Sequence, residues 1–105
     1  MRALVTGGAG FIGSNIAASL VDMGWSVRVL DDLSSGYQGN LNGLSVDFHR
    51  GDVRDEVAVE AAVRDCDVVF HLAASVGNKR SIDDPITDSS INVIGTLRVL
   101  EAARR

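Results

Sequence analysis

Apolar positions along this chain fall into two kinds of run, one short and unbroken, the other longer and spaced at three and four residues. Ala3 to Val5, Val27 to Leu30 and Val68 to Leu72 are of the first kind, broken only by Arg28 and His71. Such runs predict parallel strands covered on both faces. A weaker segment, in which Val46 and Phe48 alternate with Asp47 and His49, predicts a short strand at a sheet edge. Helical spacing appears at Phe11, Ile12, Ile16, Ala17, Leu20 and Val21, with Gly24 as the stop. It recurs over Val57 to Val63, where Glu60 and Arg64 form an exposed i,i+4 pair, and again from Ile86 to Leu100 after Pro85. The predicted order is βαβ, β, αβα. That order gives an α/β fold in which the fourth strand returns beside the first, strand order 3-2-1-4 in a four-stranded parallel sheet with flanking helices.

Between the first strand and first helix lie Gly7, Gly8, Gly10 and Gly13. Read from Gly8 the spacing is G-x-G-x-x-G; read from Gly7 it is G-x-x-G-x-x-G. A glycine turn between a buried strand and a helix start lets the backbone approach a pyrophosphate, and the helix then points unpaired N–H groups at it. Asp31 closes the second strand about 20 residues beyond Gly10, where a carboxylate accepts hydrogen bonds from an adenosine ribose. Its charge repels a 2′-phosphate, so NAD is expected rather than NADP. Together these features predict a partial Rossmann fold that binds a dinucleotide.

Other polar residues fall at the same end of the sheet. Asp32 to Gly43, rich in Ser, Asn and Gly, reads as a loop; it holds Tyr37, expected at the surface or near the adenine. Asp52 follows the third strand on the ligand side, or else caps the next helix, a role that suits Asp55 better. Ala73, Ala74 and Ser75, past the fourth strand, should line the crevice with small side chains. The loop from Val76 to Asp84, with Lys79 and Arg80, is placed to meet a phosphate or the nicotinamide. Asn92, mid-helix, is a candidate polar contact at that end, while His71 is expected to be a hydrogen-bonded core histidine rather than a base.

Composition narrows the alternatives. With 105 residues, 46% hydrophobic and 23% charged, the chain suits one small globular domain. A net charge of −4 with scattered basic residues is unlike a nucleic-acid binder. No apolar run is long enough to cross a membrane and no signal-peptide pattern is present, so the cytoplasm is the expected compartment. Cys66, the only cysteine, sits between Asp65 and Asp67 and reads as structural; His49 and His71 lack a metal-ligand spacing.

TGGAGFIG at Thr6–Gly13, DDLSSG at Asp31–Gly36, GDVRD at Gly51–Asp55, HLAA at His71–Ala74 and NVIGT at Asn92–Thr96 stand in register over nearly the whole chain. In these motifs it resembles the amino-terminal part of the extended short-chain dehydrogenase/reductase family, and within it the NAD-dependent nucleotide-sugar epimerases and dehydratases of the UDP-glucose 4-epimerase type. The resemblance implies that Gly7, Gly10, Phe11, Ile12 and Gly13 hold the pyrophosphate. Asp31, Asp32, Ser34, Ser35 and Gly36 would surround the ribose, Asp52 and Val53 the adenine. Leu72, Ala73, Ala74 and Ser75 would line the inner side, and Asn92 would support the active-site end.

The family's hydride-transfer chemistry uses a tyrosine and lysine in a Y-x-x-x-K motif. Here the only tyrosine, Tyr37, is followed four positions on by Leu41, and the only lysine is Lys79. Residues 1–105 are therefore expected to form a truncated dinucleotide-binding domain without a substrate domain, catalytically incomplete alone; a missing catalytic half is one possible partner. A free-standing binding or assembly module, or a folded gene fragment without function, are the alternatives. The fourth strand of such a piece presents an apolar edge, so a homodimer is expected through that strand and the last helix.

Overall fold

The structure is a computed structural model that describes residues 1–74 and 82–104. Four parallel strands, β1 (Arg2–Thr6), β2 (Ser26–Asp31), β3 (Asp47–Arg50) and β4 (Val68–His71), form one sheet in the order β3-β2-β1-β4. Val5 is the central register point, opposite Val29 on one side and Phe70 on the other. The expected fold class and strand order are both observed.

The two central strands are apolar throughout because each face of the sheet is covered separately. Ala3 and Val5 of β1 and Val27 and Val29 of β2 point to the side of helix α1 (Phe11–Asp22), where they meet Ala17 and Leu20. Leu4 and Leu30 point the other way, onto Val59 and Ala62 of α2 (Glu56–Val63) and Val99 and Ala102 of α4 (Gly95–Arg104). A two-residue alternation thus serves two apolar layers rather than one layer and solvent. At the edge, β3 is only partly buried, in keeping with its mixed sequence.

Helix ends follow local chemistry. Gly24, with φ +83°, follows the end of α1. Asp55 caps α2, its Oδ1 accepting from the Val57 amide at 3.0 Å and the Ala58 amide at 3.4 Å. Arg28 departs from the apolar pattern of β2 for a visible reason. Its guanidinium donates to the Ala62 and Arg64 carbonyls, each at 2.8 Å, at the end of α2, and to Asp47 Oδ2 at 3.0 Å. A largely buried side chain whose Nε and Nη1 are both engaged ties sheet and helix together.

The last helical stretch is not one helix. It begins as α3 (Pro85–Ser89), with Pro85 in the first turn and Asp84 as cap, passes through a π-helical turn at Ser90–Ile94, and continues as α4. The periodic apolar pattern fits a continuous helix and contains no signal for the wider turn. Such turns concentrate at functional sites, and this one lies beside the crevice described next.

Candidate functional site

Gly7, at the end of β1, has φ +69°, and a Cβ there would stand 2.9 Å from the Ala73 amide nitrogen. Glycine is required twice, for the left-handed backbone and for the approach of β1 to the end of β4. A Cβ on Gly13 would collide with the Gly7 carbonyl oxygen and with Gly8 Cα, so the helix can fold back on the turn only without a side chain. Gly8 faces the opposite way, onto Val29 Cγ1. The frame that lines the crevice is therefore Gly7, Gly10 and Gly13, which settles which of the two spacings is in use.

Helix α1 starts directly from this turn. No side chain caps it and its first turn holds no acidic residue. Its leading N–H groups and the positive end of its dipole face the crevice, an arrangement suited to an anion.

Asp31 stands across the turn, 8% exposed. Its Oδ2 accepts from the Ala9 amide at 2.9 Å and its Oδ1 from the Leu33 amide at 2.8 Å. The same carboxylate thus joins the glycine turn to the loop after β2, in which Leu33 has φ +64°. Asp32 Oδ1 in turn accepts from the Ser34 amide. At the far end Asp52 is clamped by Arg54, with Nη2 to Oδ2 at 2.6 Å and Nε to Oδ1 at 3.0 Å. This guanidinium holds the Asp52 carboxyl below its ordinary range, so Asp52 is an anion at neutral pH. Arg54 also reaches Ser90 Oγ, at 3.3 Å, in the π-helical turn.

These groups enclose a crevice of about 290 Å³ at the carboxyl ends of β1, β2 and β4. Gly7, Gly10, Phe11, Ile12 and Gly13 form one wall, Asp31, Asp32, Ser34, Ser35 and Gly36 a second, Asp52 and Val53 a third, and Leu72, Ala73 and Ala74 a fourth. The sequence brought these positions forward, and the fold brings them together. Ser75 lies outside the described residues, as do Lys79 and Arg80. Asn92 is not in the wall; its Nδ2 lies 3.4 Å from Asp88 Oδ2, and its neighbour Ile91 lines the crevice instead.

Leu30 and Gly51 also line the crevice without having been singled out. Gly51 sits at a strand end, and that position is the available signal for it. Cys66 is structural as expected, its thiol pushed up by burial. Among the described residues no cluster could hold a metal ion, and no helix is long and apolar enough to cross a membrane.

Residues 3–105 match the NAD dependent epimerase/dehydratase family. The chain belongs to that family. A UDP-glucose 4-epimerase of Mycolicibacterium smegmatis is 47% identical over 99% of this chain and 35% of its own length. The crystal structure of a Thermus thermophilus UDP-glucose 4-epimerase in complex with NAD superposes with a TM-score of 0.90 at 46% identity, covering 99% of this chain and 34% of that one. A dTDP-glucose 4,6-dehydratase from Streptomyces venezuelae, solved with NAD bound, has a TM-score of 0.90 at 36% identity over 98% of this chain and 35% of its own. The chain spans about a third of the length of these relatives. The resemblance drawn from its five motifs is thereby confirmed at the level of the family.

Proposed function

We propose that this chain is the NAD-binding part of a cytoplasmic nucleotide-sugar epimerase or dehydratase, an isomerase-type or lyase-type activity in which NAD, when bound, accepts a hydride from a sugar carbon. One observation carries this reading: an uncapped helix start faces the crevice beside two glycines at which a Cβ would collide with neighbouring backbone, with a buried aspartate opposite. The pyrophosphate lies on the N–H groups at Phe11 to Gly13, and the adenosine ribose against Asp31. Residues outside this chain complete the nicotinamide end and supply the proton transfer.

Calorimetric titration of the purified chain tests this. NAD should bind in the micromolar to low-millimolar range, and NADP about tenfold more weakly or worse, because Asp31 opposes the extra phosphate. Equal binding of both, or none by a folded chain, sinks the reading.

Sedimentation of the same sample tests a second proposal, a homodimer. β4 pairs only with β1 among the described residues, and a cavity of about 780 Å³ runs along it, lined by Val69, Val99, Leu100 and Ala102. Leu97 and Leu100 of α4 are more than half exposed. A second copy that joins strand edges and last helices covers all of these. A monodisperse monomer at micromolar concentration rules it out.

A further inference from the structure

His71 ends β4 beside the crevice without lining it, and five hydrogen bonds constrain the protons around it. The Ala73 amide donates to Thr6 Oγ1 at 3.1 Å, and the Leu72 amide is shared between Thr6 Oγ1 at 3.0 Å and the Thr6 carbonyl at 3.1 Å. His71 Nδ1 lies 2.7 Å from the same oxygen Oγ1. On the other side, Thr96 Oγ1 lies 2.6 Å from the Asn92 carbonyl, which can only accept, so that hydroxyl proton is committed as well. His71 Nε2, 3.1 Å from Thr96 Oγ1, must then be the donor. With Nε2 the donor, a neutral imidazole accepts the Thr6 hydroxyl proton at Nδ1, and every group in the chain of bonds is then satisfied.

This chain of bonds joins three walls of the crevice. Thr6 immediately precedes Gly7; Leu72 and Ala73 are the β4 wall; Asn92 belongs to the π-helical turn that carries Ile91 into the crevice. We infer that His71 is a positioning residue for the dinucleotide crevice, holding the β4 wall against the glycine turn and the last helix only while its ring is neutral. A second ring proton would point from Nδ1 at a Thr6 oxygen that already accepts from the Ala73 amide and in part from the Leu72 amide, and would leave the Thr6 hydroxyl proton without its acceptor. The Leu72 amide keeps the Thr6 carbonyl, so the displacement falls on the Ala73 amide, and the wall loosens there.

The surroundings agree. β1 presents Thr6 to the ring, the last helix Thr96, and the titratable groups that share the bordering cavity are Glu60, Arg64, Asp65, Cys66 and Asp67. None of these is a source of shift at His71; burial alone lowers its titration below the ordinary 6.5. The unfolded chain then binds more protons than the folded one between the two values. Stability from this group is complete above the unfolded value and declines as pH falls toward the folded one.

The inference rests in part on the NAD reading, so the test has one arm that does not need NAD. Nitrogen NMR of the intact chain should show the Nε2–H tautomer at neutral pH and a titration midpoint below the ordinary value. Exchange of the Ala73 amide should accelerate as His71 titrates. An imidazolium or Nδ1–H tautomer at neutral pH, or Ala73 exchange indifferent to that titration, overturns the inference whether or not NAD binds. In the second arm, NAD affinity should fall at least about fivefold from about pH 7.5 to pH 5. His71→Gln supplies an amide acceptor and donor without titrating, so it should hold its affinity within about twofold over that range. Equal pH slopes in the two proteins also overturn it. If neither binds NAD, the functional reading fails, and the tautomer and amide exchange still decide the role of His71.

Discussion

Gly13→Ala should abolish measurable NAD binding and destabilise the chain by about 2–4 kcal/mol, although alanine is the better helix former. Helix propensity alone favours the substitution by about 1 kcal/mol. Against this, the new Cβ would overlap the Gly7 carbonyl oxygen and stand 2.8 Å from Gly8 Cα and 2.9 Å from the Gly7 carbonyl carbon. All three are backbone atoms, so no rotamer change relieves the contact. Overpacking of that kind costs about 1–3 kcal/mol where side chains can adjust, and more where they cannot.

The turn must open, which moves the helix start away from the position where its N–H groups converge. Gly24→Ala is the matched control. Its φ of +83° gives a strain of about 1 kcal/mol, but nothing lies within 4 Å of the added Cβ and the site is at the other end of α1. Urea titration should show both variants destabilised, Gly13→Ala the more; calorimetry should show NAD binding lost in that variant alone. NAD binding of native strength in Gly13→Ala would mean that the turn is not the pyrophosphate cradle.

The difference between those two glycines also marks what the sequence could disclose. Strand runs, glycine spacing and the acid that follows at a fixed distance are periodic or local signals, and they were sufficient for the sheet order, the glycine turn and Asp31, while most other wall positions came from the family resemblance. Three features were beyond them. The π-helical turn at Ser90–Ile94 leaves the apolar spacing intact and so gives no signal in it. The clamp of Arg54 on Asp52 has no spacing signal, and Asp52 reads in sequence only as a ligand-side carboxylate or a helix cap. The Thr6–His71–Thr96 connection unites residues 65 and 25 positions apart, which only the pairing of β1 with β4 and the packing of the last helix bring together.

Asp31 shows the same limit from the other side, because its sequence position predicts only the outward half of its work. The inward half is the pair of bonds to the Ala9 and Leu33 amides. Asp31→Ala removes both acceptors at a site that is 8% exposed, leaving two amide donors without a partner and the left-handed backbone at Leu33 without support. Bonds to a carboxylate contribute about 1.5–3 kcal/mol each, and loop relaxation toward water recovers part of this. We expect a loss of about 3 kcal/mol in urea unfolding and at least about a tenfold loss of NAD affinity.

Asp31→Asn separates the two duties. One amide oxygen can still serve one backbone N–H, but the NH2 group faces a donor where the second carboxylate oxygen accepted, so stability recovers only in part. The charge is gone in either variant, and with it the repulsion toward a 2′-phosphate. In Asp31→Asn the preference for NAD over NADP should therefore shrink to about twofold while the chain stays folded. An unchanged preference, measured by calorimetry with both dinucleotides, would remove Asp31 from cofactor selection and leave it as a brace between the glycine turn and the loop after β2.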